Sequence, residues 1–189
     1  MKIVLGSSSK QRKDIFMAMG YAFEVISSDI DERSIRRSGP KELALALAMA
    51  KSDSLCKRLQ GSCILITADT VVTWDGTLRE KPVDAKEARF FLETASEHPS
   101  FVYSAVVVTN TETKKRAGGV DEARVFFLKI PEENIENLIR RADVFGFAGG
   151  FAIEDPLIAP YVASVKGERG TIMGLPQELT EKLIAEVSE

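Results

Sequence analysis

The chain has 189 residues, 44% of them hydrophobic and 28% charged, the balance of an ordinary globular domain with enough apolar side chains for a core. Twenty-five basic and 28 acidic residues leave a net charge of −3, which argues against non-specific nucleic-acid binding. No apolar run approaches the roughly 20 residues that span a bilayer.

In chain order, the pattern alternates strands and helices. Lys2–Gly6 is a short apolar run and predicts a buried strand. A helix is expected from about Lys10 to Met19, with Ser9 as its cap and Gly20 as its stop. Phe23–Ile26 predicts a second strand. Pro40 opens a helix whose apolar stripe is Leu43, Ala46, Leu47 and Ala50. Ser62–Ala68 predicts a buried strand that ends just before Asp69. Asp84 caps a helix with inner face Ala88, Phe91, Leu92 and Ala95. Phe101–Thr109 and Glu122–Lys129 predict long strands joined antiparallel through the polar segment TETKKRAGG. Pro131 opens a helix with Ile135, Leu138, Ile139 and Ala142 inward, and Leu179, Leu183 and Val187 mark a last one. The expected fold is α/β, one domain over residues 1–189, with a mixed sheet.

Several segments carry candidate chemistry. The strand–loop–helix KIVLG-SSSKQR offers free amides of a helix first turn, serine hydroxyls, and Lys10, Arg12 and Lys13. Arg12 is suited to a bidentate grip on phosphate. In LITADTVV, Asp69 follows an apolar strand, where α/β proteins place ligands; it can hold a divalent metal or activate water, or be a plain turn residue. Lys81 sits in the turn REKP, and Gly149-Gly150 precede Glu154 and Asp155. SDIDER gathers Asp29, Asp31 and Glu32 as a metal-facing cluster or an exposed acidic loop. No serine lies in a GxSxG elbow, and His98 is the only histidine, so a triad hydrolase is unsupported. Cys56 and Cys63 form no CxxC pair and predict reduced thiols of a cytoplasmic protein.

Taken together, these blocks resemble the Maf family of nucleotide pyrophosphatases. The carriers are Ser7–Arg12, Asp31-Glu32, Lys51, Ala68-Asp69-Thr70-Val71-Val72, Glu80-Lys81-Pro82, Ala148–Phe151 and Gly174-Leu175-Pro176, spread over nearly the whole chain. The wording of FxxAGG and IEDP is more similar to the plant and protist branch. The resemblance implies a two-lobed fold, shared in type with inosine-triphosphate pyrophosphatases, with the nucleotide between the lobes. It also implies a metal-dependent hydrolase (Mg²⁺, Mn²⁺ or Co²⁺) that cleaves the α–β bond of nucleoside triphosphates, and a cytoplasmic homodimer with neither nucleic-acid nor membrane partners. By position, Asp69 is the expected general base. Ser7, Arg12, Lys51 and Lys81 hold phosphate, and Glu32 with Asp69 holds the metal.

The chain also departs from the family pattern. Lys10-Gln11 replaces Pro-Arg, and Phe147 replaces a lysine before Ala-Gly-Gly, so Lys10 or Lys13 would have to compensate. Gln11, Thr70 and Glu154 occupy base-selecting positions. Thr70 resembles the pyrimidine branch (dTTP, UTP, CTP) and Glu154 the 7-methyl-GTP branch. A nucleotide-binding regulator of cell division without catalysis is the alternative of a different class.

Overall fold

The computed structural model describes residues 1–189. Seven strands form one sheet in the order β2-β1-β3-β5-β6-β7, with a short β4 paired to the end of β3. The strands are β1 Lys2–Leu5, β2 Glu24–Val25, β3 Cys63–Trp74, β4 Thr77–Leu78, β5 Ser100–Asn110, β6 Arg116–Phe127 and β7 Val162–Lys166. β1 pairs parallel with β2 and β3, and the remaining pairs are antiparallel, so the sheet is mixed as the hairpin pattern predicts. The helices are α1 Lys10–Ala18, α2 Pro40–Cys56, α3 Ala85–Glu93, α4 Glu132–Arg141, α5 Arg169–Met173 and α6 Gln177–Ser188.

The period of two along β3 sorts its side chains onto two faces. Leu65 and Val71 pack on the side of α2, with Leu43, Leu47 and Leu55. Ile64, Ile66 and Ala68 pack on the other side with Ile15 and Phe16 of α1 and Leu183 and Val187 of α6. Farther along that second face, Val72 joins a separate cluster with Ala88 and Leu92 of α3 and Ile135 and Leu138 of α4. Two apolar clusters therefore flank Thr70 on one face of the sheet. They are the cores of the two expected lobes, and burying a side chain such as Phe16 completely contributes about 1.5–3 kcal/mol.

Several elements differ from the sequence expectations. β3 does not stop at Ala68 but runs to Trp74, so Asp69 is neither a strand end nor a turn residue. Val71 and Val72 continue the ladder, and all eleven residues from Ile64 to Trp74 pair with β5. β6 begins at Arg116, because only residues 111–115 form the turn; Gly118 and Gly119 lie in the strand, where Leu45 and Leu179 fill the space above them. β7, α5 and β4 were not foreseen. In α2 the inward stripe is Leu43, Ala44, Leu47, Ala48, Lys51, Ser52 and Leu55, while Ala46 and Ala50 are only half-buried. Ala142 is not an inner residue of α4 but its exposed, left-handed C-cap.

Candidate functional site

The sheet has an opening along one side of β3. Pairing with β1 ends at Ile66, and pairing with β4 begins at Thr73. Ala68, Asp69, Thr70 and Val71 lie between, with no strand beside them on that side. The loop from Gly6 to Ser9 covers this opening from one lobe and the turn Arg79–Pro82 from the other, and a cleft of about 1010 Å³ lies between them. Ser7, Gln11, Arg12, Glu32, Lys51, Asp69, Thr70, Lys81 and Glu154 all line it. The structure thus brings these nine residues together from six separate stretches of chain.

Lys51 is carried inward because it continues the buried stripe of α2 at Ala44, Ala48 and Leu55. Its ammonium lies 2.5 Å from Asp69 Oδ1 and 2.8 Å from Glu32 Oε1. Asp69 and Lys51 are each under 10% exposed. Burial pushes the Asp69 carboxyl above the ordinary carboxylate range, outweighing the opposing pull of Lys51 and Arg12. Burial alone would raise Glu32 as well, but Lys51, Lys81 and Arg12 together hold it below its usual value. Burial also lowers the Arg12 guanidinium against the fields of Asp69 and Glu32, yet arginine stays charged at neutral pH.

Ser9 caps α1 as expected, its Oγ accepting from Arg12 N at 3.4 Å, and Ser7 Oγ accepts from Ser9 N at 3.2 Å. Arg12 itself is more committed than expected. Nε donates to Gly174 O at 2.8 Å, Nη1 to Ala68 O at 2.9 Å and Nη2 to Thr70 Oγ1 at 3.0 Å. Nη1 also reaches Ser7 Oγ at 3.5 Å, so a full bidentate grip on phosphate through one face of the fork is corrected to the one N–H left over on Nη2. Thr70 lines the cleft with its hydroxyl already partnered. That hydroxyl accepts from Arg12 and contacts Ser104 Oγ at 2.8 Å.

Across the cleft mouth the side-chain amide of Gln11 donates to the Glu154 carboxylate, so two of the proposed specificity residues touch. Of the three acids of SDIDER, only Glu32 lines the cleft; Asp31 caps the short turn Glu32–Ser34 by accepting from Arg33 N at 3.1 Å. Lys10 lines the cleft and Lys13 does not, while Phe147 stands in the wall. His98 packs edge-on to Trp74, with ring centroids 5.1 Å apart. Cys56 and Cys63 are free thiols.

Sequence reasoning missed Arg33, Arg36 and Arg79, which also line the cleft. Arg36 reaches Glu80 at 3.5 Å across the mouth. Arg79 is 3% exposed and stacks over Trp74 at 4.0 Å. It donates to Phe91 O at 2.9 Å and Thr94 Oγ1 at 2.7 Å, which locks the turn bearing Lys81 to α3. Burial lowers its pKa to about 10. Gly149 N donates to the carbonyls of Arg79 and Glu80, tying that turn to the Ala-Gly-Gly segment. The signal for Arg79 was its place beside Glu80-Lys81-Pro82, but a single arginine in a turn reads as solvated.

Two carboxylates that meet on one ammonium offer hard oxygen donors to a divalent ion. No group of three or more His, Cys, Asp or Glu converges anywhere in the chain. That donor set fits Mg²⁺-type binding, in which one or two carboxylates are completed by water and substrate phosphate, and it does not fit a closed structural metal site.

The sequence model described as "Maf-like protein" matches residues 2–187. The chain belongs to the Maf family. Among curated Maf relatives, the 7-methyl-GTP pyrophosphatase of Dictyostelium discoideum is 41% identical, over 99% of this chain and 98% of its own length. The dTTP/UTP pyrophosphatase of Thermoanaerobacter sp. (strain X514) is 31% identical, over 93% and 91%. That of Vibrio vulnificus (strain YJ016) is 31% identical, over 98% of each chain. A solved structure of the Staphylococcus aureus Ham1 protein is also similar, at 14% identity and a TM-score of 0.46 over 68% of this chain and 73% of that one. Of the Maf blocks singled out in the sequence, all but Gly174-Leu175-Pro176 place at least one residue in the cleft lining.

Proposed function

We propose that this chain is a nucleoside triphosphate pyrophosphatase that adds water across the α–β anhydride, releasing a nucleoside monophosphate and pyrophosphate. The observation that carries this reading is the convergence on one cleft of a buried carboxylate, Asp69, with Lys51, Arg12 and Lys81. A triphosphate carries about four negative charges, and these cations with the first turn of α1 offset them. Asp69 is the general base: a carboxylate raised by burial is better matched to taking a proton from water near neutral pH than an exposed one. Lys51 orients that carboxylate and holds Glu32 beside it. Asp69 and Glu32 are the residues that would hold a divalent ion (Mg²⁺, Mn²⁺ or Co²⁺), which when bound polarises the phosphates.

For the base we place 7-methylguanosine triphosphate first. Glu154 accepts hydrogen bonds, and a carboxylate suits the donor edge and positive charge of a methylated guanine. Thr70, the residue that pointed toward pyrimidines, has its hydroxyl taken up by Arg12 and Ser104. The 41% identical relative bears the 7-methyl-GTP name. A pyrimidine preference remains the second reading, favoured by the 31% identical relatives. Cytoplasmic location and a homodimer complete the proposal on the family resemblance; no helix is long and apolar enough to cross a membrane.

Pyrophosphate release from 7-methyl-GTP, GTP, UTP, dTTP, CTP and ITP with each metal tests the reading. The expected result is a kcat/KM for 7-methyl-GTP about tenfold or more above that for UTP. The reverse order selects the pyrimidine reading. Thermal stabilisation by these nucleotides with no turnover selects the non-catalytic regulator.

A further inference from the structure

A line of hydrogen bonds runs from Arg12 away from the cleft, and its direction can be worked out. Ser104 Oγ donates to the Thr171 carbonyl at 2.7 Å, which uses the only proton of that hydroxyl. In its 2.8 Å contact with Thr70, Ser104 can then only accept, so Thr70 donates. With its proton turned toward Ser104, Thr70 presents lone pairs to Arg12 Nη2, 3.0 Å away. The order is Arg12 to Thr70 to Ser104 to Thr171, with one donor and one acceptor at each step.

Thr171 is held in turn. Its side-chain hydroxyl donates to the Asp121 carboxylate, and Asp121 lies directly opposite Ser104 across the β5–β6 ladder. Thr171 and Ser104 are fully buried. Thr171 belongs to α5, whose C-cap residue Gly174 accepts from Arg12 Nε at 2.8 Å. Gly174 has φ +96°, and a Cβ there would lie 3.0 Å from both Arg12 Nε and Thr70 Oγ1. Only glycine lets α5 close down on the guanidinium in this way. Arg12 and Thr70 line the cleft, whereas Ser104, Thr171 and Asp121 do not.

We infer that Ser104, Thr171 and Asp121 are positioning residues that orient the Thr70 hydroxyl and clamp α5, and so aim the remaining Nη2 N–H of Arg12 at the triphosphate. The inference rests on the pyrophosphatase reading for its kinetic consequence and on geometry alone for the orientation of Arg12. Removing Ser104 Oγ leaves the Thr70 proton without its acceptor and the Thr171 carbonyl without its donor, so neither the Thr70 lone pairs nor α5 is held against Arg12. An aimed guanidinium costs no reorganisation during the reaction; a loosened one does.

A double-mutant cycle tests the assignment. Ser104→Ala is expected to lower kcat/KM about tenfold in the wild-type background and less than about twofold in Arg12→Ala, because both act through one group. Asp121→Asn keeps an acceptor for Thr171 and is expected to stay within about threefold of wild type, whereas Asp121→Ala matches Ser104→Ala. Equal losses in both backgrounds, or Asp121→Asn as poor as Asp121→Ala, overturn the inference. Guanidinium ¹H–¹⁵N spectra of the ligand-free protein give a reading that needs neither turnover nor metal. The Arg12 signals, assigned by their loss in Arg12→Lys, should broaden in Ser104→Ala and Asp121→Ala. Unchanged Arg12 signals in both variants also overturn it. A wild type that cleaves no triphosphate refutes the proposed function instead, and the spectra still decide the orientation of Arg12.

Discussion

Lys51 of α2 and Asp69 of β3 meet at 2.5 Å at the floor of the cleft, both nearly shielded from water. A buried ion pair adds little net stability, yet removing one partner leaves the other charge stranded at a cost of about 3–5 kcal/mol. Lys51→Met should therefore lower Tm more than Asp69→Asn does, since asparagine can still hydrogen-bond to Lys51. Asp69→Asn should cost at least ~100-fold in kcat, the usual scale for a general base, while keeping nucleotide affinity. The acid limb of kcat/KM should lie above the ordinary carboxylate range and move higher in Lys51→Met, which removes a group that lowers Asp69. Wild-type kcat in Asp69→Asn refutes the base assignment.

Glu32 titrates with the opposite sign to Asp69. Its folded carboxyl is held below the ordinary value of 4.5, so its contribution to stability is complete above that value. The contribution is lost as pH falls through the folded pKa. In metal-free protein, the Tm gap between wild type and Glu32→Gln should be constant near neutral pH and close as pH falls below the ordinary carboxylate value. A gap that stays open at the acid end shows that Glu32 does not act through its charge.

Gln11 and Glu154 meet across the mouth from opposite lobes. If Glu154 reads the base, Glu154→Gln should shift the ratio of kcat/KM from 7-methyl-GTP toward UTP by about tenfold or more, as expected when a hydrogen-bonding pattern is inverted. Proportional loss on both substrates would instead mean that the pair only closes the cleft.

Much of this site was legible because its chemistry is written in short blocks. Asp69, Lys81 and the Ser7–Arg12 loop each stand in a recognisable run, and Lys51 follows the apolar stripe of α2 by one more turn. The position of Asp69 within its strand was not legible. Asp69 and Thr70 interrupt an apolar run, which reads locally as a strand end, and only the pairing with β5 shows that the ladder continues. Arg12 was recognised as a cation, but its partners Gly174 and Ala68 are backbone carbonyls far off in sequence, which no local pattern reveals. β7 escaped because its side chains do not alternate between buried and exposed, and α5 because five residues give too few turns for a periodic signal.

The missing neighbour beside Ala68–Val71 has a consequence for solubility. Bare strand margins invite another chain to stack onto them. Here Arg12 occupies the Ala68 carbonyl and the loop residues crowd the rest, so the notch that admits a ligand is also barricaded against self-association. The arginine proposed to meet phosphate thus also covers the strand margin through the Ala68 carbonyl.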